Sequence, residues 1–294
     1  MEFIPLGPGF AAEVRGVTLR DIAGDDAAYG AVRTALDEHS VLVFRDQNVT
    51  DEDQMAFSRR FGPLEVTKVG SRGAGTNLVI LSTIDENGRL VPQDHRLALS
   101  NKANQLWHAD STFKAVPALA SVLSARIIPA KGGETEFVST RLAWDRLDPA
   151  LRERLENRFA WHDYAHSRGK IAPDLASAVE RTALPPQCWR MAWRNPANGR
   201  TALYVASHAY AIDGMDRAAA QKLLDDLIDA ATAPGLSYLH AWRSGDVVMW
   251  DNRATLHRGR PWPAHEPRLM VRTTISATAA DGLAAMHPPQ RLPH

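Results

Sequence analysis

A histidine and an aspartate stand two residues apart in the segment LWHADSTF, at positions 108 and 110. In extended backbone the side chains at i and i+2 point to the same side, so His108 and Asp110 can reach one metal ion together. His257, in MWDNRATLHRGR, would complete a face of two imidazoles and one carboxylate. That donor set holds a mononuclear ferrous ion and leaves positions open for a cosubstrate and oxygen. His-x-Asp alone is weak, because a chain with 11 histidines and 34 acidic residues produces such a pair by chance. A hydrogen-bonded histidine at a strand end is the alternative reading of His108. The same three donors would also suit an open zinc site that activates water for hydrolysis.

Past His257 comes PRLMVRTTISA, with Arg268 and Arg272 four positions apart. In a strand both lie on one face. Two inward guanidinium groups in an apolar strand are costly unless they meet an anion, and the guanidinium fork matches a carboxylate. A dicarboxylic cosubstrate would use such a partner at its far end while its 2-oxo acid end chelates the metal. Exposure to solvent, or pairing with an aspartate or glutamate, is the alternative. Arg272 is open to three roles: cosubstrate, substrate or salt bridge.

Elements that could position these groups are visible in the pattern. FAAEVRGVTL reads as a strand, DDAAYGAVRTALDEHS as a helix and SVLVFRDQ as a buried strand. TDEDQMAFSRRFG reads as a helix capped by Thr50, with Asp53 at the capping-box position and Gly62 closing it. Residues 66–105 are irregular apart from NLVILSTID, as expected of a lid. Short strands then recur (LASVLSARII, ETEFVS, RFAWHDYAH, TALYVAS, LSYLHAW, DVVMWD, RLMVRTTISA), interrupted by helical stretches near 140–156 and 215–231. Many short strands with Gly/Pro turns indicate a sandwich or barrel. The Pro-rich tail, 281–294, is expected to be disordered.

The composition narrows the function. The chain has 294 residues, enough for a large core without staples, and carries 34 basic against 34 acidic residues. This balance argues against nucleic acid or an anionic membrane as partner. The single cysteine, Cys188, forms no intrachain disulfide and fits a reducing cytoplasm. No secretory signal and no 18-residue apolar stretch are found.

Taken together, WHADSTF, PAKGGETEF, MWDNRATLHRGRPW and PRLMVRTTI, with FRDQNVTDEDQMAFSRRFGPLE near the start, resemble the signature segments of the taurine dioxygenase / dichlorophenoxyacetate dioxygenase family over roughly residues 5–278. NQLWHADSTF, GGETEF and VVMWDNRATLHRGR look closest to its aryloxyalkanoate (phenoxy-herbicide) branch. The resemblance implies one domain over residues 1–280, mainly β with flanking helices: a double-stranded β-helix, or cupin-like jelly roll. It implies Fe(II) held by His108, Asp110 and His257, with 2-oxoglutarate and O2 as cosubstrates. Arg268 would take the distal carboxylate of 2-oxoglutarate, Thr135 would add a hydroxyl hydrogen bond, and Arg272 would serve cosubstrate or substrate. A zinc hydrolase leaves Arg268 and Thr135 unexplained. The activity implied is hydroxylation of a small anionic substrate with release of succinate and CO2. An aryloxyalkanoate would then undergo ether cleavage; a sulfonate, a sulfate ester or another carboxylate is the alternative. Expected substrate contacts are Lys68, Lys102, Asn104, Ser111, Phe113, His208, Tyr210 and Arg272. The resemblance also implies a homo-oligomer, dimer to tetramer.

Overall fold

The computed structural model describes residues 1–289. Its largest sheet has seven strands, in the order Glu2–Pro5, Ala12–Arg15, Val41–Phe44, Val247–Asp251, Ala118–Ile127, Leu269–Ser276 and Val79–Ser82. All neighbours are antiparallel except Ala12–Arg15 beside Val41–Phe44. A three-stranded antiparallel sheet, Ser237–His240, Thr135–Ser139 and Thr255–Gly259, faces it, and the two form the jelly roll. Phe159–His162 pairs with Ala209–Ile212 and with Gln187–Arg190 in a further antiparallel sheet.

The alternation of strand residues separates two cores. Val247 and Met249 pack with Val122, Leu42 and Phe44 on the helix-covered face. Their neighbours Val248 and Trp250 pack with Leu123, Val43, Met270 and Phe137 inside the roll. Polar residues in the same strands follow the same parity. Ser124 turns outward and donates to Gln54 Oε1 at 2.7 Å, whereas Ser121 turns inward, toward Asp110. The helix Asp51–Phe61 closes the outer face with the predicted caps, a Thr50–Asp53 capping box and Gly62 as C-cap. Gly62 has φ +152°, and a Cβ there would meet Ile275 at 3.1 Å, so a larger residue is strained as well as crowded.

Three expectations are corrected. RFAWHDYAH is not one strand: the strand ends at His162, and Asp163 caps a helix, Tyr164–Gly169, by accepting from the amides of Ala165 (2.9 Å) and His166 (3.2 Å). The helical stretch near 140–156 is two helices, Thr140–Arg146 and Pro149–Glu156, divided by the Asp148 cap and the proline. The tail expected to be disordered from 281 is ordered through 289. Met286 is buried in the helix-side core, and Asp281 accepts from Arg33 at 2.9 Å. Residues 290–294 lie outside the described residues.

Candidate active site

His108 and His257 are brought together by backbone pairing, which no local pattern announces. The two residues form an antiparallel bridge, His108 N–H to His257 O at 3.0 Å and His257 N–H to His108 O at 2.8 Å. Their rings lie 4.2 Å apart. Asp110 follows where the chain enters a turn, with Oδ1 3.9 Å from His108 Nε2 and Oδ2 3.7 Å from His257 Nε2. The three donor atoms fall within 4.8 Å of one another and all three residues are buried. A metal at about 2.1 Å from each ligand can span donors up to about 4.2 Å apart, so each imidazole lies within reach of an ion on its nearer carboxylate oxygen, Oδ1 for His108 and Oδ2 for His257. The hydrogen bond from His108 Nδ1 to the Leu106 carbonyl, 2.7 Å, leaves Nε2 free to ligate. His257 Nδ1 is buried without a partner.

Asp110 is held from three sides. Its Oδ2 accepts from Ser121 Oγ at 2.7 Å, its Oδ1 from Arg272 at 2.5 Å, and its amide donates to Asn252 Oδ1 at 3.0 Å. Asn252 also donates to Ser121 Oγ at 3.0 Å and accepts from Trp250 Nε1 at 3.0 Å. Ser111, next in sequence, takes a left-handed φ of +57°, turning the chain sharply after the ligand. Burial would raise the Asp110 carboxyl, but the Arg272 guanidinium holds it well below the usual carboxylate range. Burial pushes His108 and His257 down. The set is therefore one carboxylate and two neutral imidazoles, the protonation states a divalent cation needs.

Beyond His257 lies a pocket walled by Leu123, Trp250 and Trp262 and containing Thr135, Arg268 and Arg272. Arg268 is buried; its carbon lies 4.9 Å over the Trp262 ring, and its terminal nitrogen donates to Gly133 O at 3.3 Å. Its Nε is buried without a partner, and burial alone lowers its pKa to about 10. Thr135 Oγ1 accepts from Trp242 Nε1 at 3.0 Å. A donor left over in an apolar pocket marks the place for an anion.

A second cavity opens on the other side of Asp110. It is lined by Lys68, Asn104, Ser111, Phe113, His208 and Arg272 among others, so six of the eight expected substrate contacts meet there. Lys102 and Tyr210 do not line it, and both expectations are corrected. On the helix Arg96–Ala103 the positions Leu97, Ser100 and Asn101, followed by Asn104, face the cavity. Lys102 lies on another face, exposed, in a separate cleft beside Trp262. At Tyr210 the pairing of Ala209–Ile212 shifts register, a bulge that re-aims the side chain. It packs instead against Arg217, 4.3 Å from its ring, and His166. Lys68 reaches the cavity but donates to Glu180 at 2.7 Å.

Sequence reasoning missed Ser121, Asn252 and Trp242, and also Tyr164 and Arg168 on the wall of the second cavity. Ser121 carried a signal, a serine inside an apolar strand. Asn252, whose bonds to Asp110 and Ser121 cross more than a hundred residues, and Arg168, just past a segment read as strand, carried none.

The family model described as "Taurine catabolism dioxygenase TauD, TfdA family" matches residues 2–274. The α-ketoglutarate-dependent 2,4-dichlorophenoxyacetate dioxygenase of Cupriavidus pinatubonensis is 38% identical over 275 residues, covering 92% of this chain and 96% of that one. The (S)-phenoxypropionate/α-ketoglutarate dioxygenase of Sphingobium herbicidovorans is 35% identical, over 97% and 98% of the two chains. An α-ketoglutarate-dependent sulfate ester dioxygenase of Pseudomonas putida is 29% identical, over 95% and 90%. Among solved structures, AAD-2 in complex with Mn(II) and N-oxalylglycine superposes with a TM-score of 0.88 at 36% identity, over 95% of this chain and 98% of that one.

Proposed function

Because this chain belongs to the TauD/TfdA dioxygenase family, we propose that its substrate is a small aryloxyalkanoate, hydroxylated beside the ether oxygen so that the hemiacetal product collapses and the ether is cleaved. The chain is a 2-oxoglutarate-dependent dioxygenase that uses Fe(II) and O2. Iron and 2-oxoglutarate, when bound, supply the oxidising chemistry, with succinate and CO2 released as one oxygen atom reaches a substrate C–H bond. The protein supplies position, charge and a dry cavity.

In this reading His108, Asp110 and His257 hold the iron. Arg268 receives the far carboxylate of 2-oxoglutarate, Thr135 supports it with a hydroxyl, and Trp250 and Trp262 keep water from that pocket. Ser121, Asn252 and Arg272 fix the carboxylate of Asp110. Phe113 and Tyr164, with ring centroids 5.0 Å apart, and His208, 4.8 Å from Phe113, offer aromatic surface to the substrate ring. The observation that carries the proposal is that the two pockets share His108 and Arg272. A keto acid in one and a C–H bond in the other would meet at the same ion. A homo-oligomer in the cytoplasm extends the reading, by the resemblance and the lone Cys188.

The test is succinate release in the presence of phenoxyacetates, phenoxypropionates, sulfonates and sulfate esters. Phenoxy acids should stimulate it most. Stimulation by sulfonates or sulfate esters alone overturns the substrate assignment.

A further inference from the structure

Five cations line the cavity above the metal ligands: Lys68, Arg72, Lys114, Arg168 and Arg272. Four are already engaged. Lys68 donates to Glu180 at 2.7 Å, Lys114 to Glu65 at 2.6 Å and Arg272 to Asp110 at 2.5 Å. Arg72 donates to the Ile84 carbonyl at 2.8 Å. Arg168 differs. Its side chain makes no hydrogen bond or ion pair among the described residues, and its Nε is buried without a partner. What holds it is an aromatic face, the Tyr164 ring, 4.8 Å below its carbon.

That platform is rigid. Tyr164 and Arg168 are one turn apart in the Asp163-capped helix, so they share a face. The Tyr164 hydroxyl donates to buried Glu180 at 3.1 Å, and its ring packs on Phe113. A guanidinium pre-positioned over an aromatic ring, with an unsatisfied donor and no counter-charge, is built to receive an anion.

We infer that Arg168 anchors the anionic group of the substrate, a carboxylate if the aryloxyalkanoate reading on which this rests is right. Lys68, neutralised by Glu180, then shapes the wall rather than binding. Arg168 is thereby a specificity determinant, selecting acids over uncharged compounds of the same shape.

The experiment is steady-state succinate release with phenoxyacetate and with phenoxyacetamide, its uncharged counterpart, in the wild type, R168Q and R168K, alongside sulfonates and sulfate esters. Wild type should prefer the acid. In R168Q the KM for the acid should rise about 30-fold or more. The amide's KM and the KM for 2-oxoglutarate should stay within about threefold of the wild type, and R168K should recover part of the loss. An unchanged acid KM in R168Q, or equal losses for acid and amide, overturns the anchor. Should R168Q not fold, R168K and the wild-type acid-to-amide preference still decide, because a wild type indifferent to the charge has no anchor. If the wild type takes a sulfate ester instead and R168Q raises that KM, the aryloxyalkanoate reading fails and the anchor stands. If wild type and R168Q accept phenoxy acids equally, the anchor fails and the aryloxyalkanoate reading stands. A wild type that turns over no anionic compound ends both.

Discussion

Two clusters of buried charge lie back to back in this molecule and are finished differently. Behind the loop that follows Val247–Asp251, Arg253 is satisfied at every nitrogen: Asp251 at 3.0 and 2.8 Å, Asp37 at 2.7 Å and the Asp281 carbonyl at 3.4 Å. Asp37 also accepts from Asn195 at 2.8 Å and Arg33 at 3.1 Å. In front of the loop, His257 Nδ1, Arg268 Nε and Arg272 Nε are buried with no partner. Both clusters carry the desolvation cost of buried charge. The first offsets it within the chain and so serves the fold. The second keeps donors in reserve, which is tolerable where a ligand completes the set. Asn252, between Asp251 and Arg253, joins the two by gripping Asp110 and Ser121.

The contrast predicts which variants lose activity and which lose stability. Asp110→Asn removes an anionic ligand. Succinate release should fall on the order of a thousandfold or more, with the visible band of the anaerobic Fe(II)·2-oxoglutarate complex lost. The urea midpoint of the metal-free protein should move little by comparison. Arg253→Met should do the reverse, leaving Asp251 without its counter-charge and Asp37 with Arg33 and Asn195 alone, at a cost of about 3–5 kcal/mol in urea unfolding. If Arg253→Met unfolds like wild type, the rear cluster is not structural and the comparison breaks. Arg268→Ala should raise the 2-oxoglutarate KM by the equivalent of about 2–5 kcal/mol, by removing half of a buried charge pair. An unchanged KM removes Arg268 from the cosubstrate site. Asn252→Ala tests the joint. Iron affinity or activity should drop about 10- to 100-fold, as for other residues that orient a ligand, and an effect confined to stability would place Asn252 with the rear cluster alone.

Local signals reached much of the fold and part of the site. The Thr50–Asp53 capping box and Gly62 fixed a helix to the residue, because caps are short-range chemistry. His108 and Asp110 were legible because two side chains two residues apart need only an extended backbone. That His257 meets them depends on strand pairing across the chain, and only the family resemblance supplied it. Where local reading failed, a competing local rule or a tertiary contact won. Asp163 converted an aromatic, strand-like run into the helix that carries Arg168. A one-residue bulge turned Tyr210 away. Met286, in a segment whose prolines suggest disorder, is held by the helix-side core it fills.

Glu180 sharpens the contrast from behind the second cavity. It is buried, bonded to the lining residues Lys68 and Tyr164, and fully satisfied. Lys68, Arg96 and Tyr164 donate to it, and the amide and hydroxyl of Ser177 add two bonds at 3.0 Å each. By the bonding criterion it is structural, a clasp between the covering segment 66–105 and the helix Ala178–Ala183. Burial would raise its carboxyl, but Lys68 and the Ser177 amide lead the contacts that hold it down at about 2. A carboxylate depressed in the folded state contributes stability that is present above its unfolded pKa, about 4.3, and is lost as pH falls through the folded value. Glu180→Gln should therefore be less stable than wild type by about 1–3 kcal/mol at neutral pH. The two urea curves should converge between pH 4.5 and 2. A gap that persists unchanged down to pH 2 would show that the charge of Glu180 contributes nothing, and the clasp would then rest on shape alone.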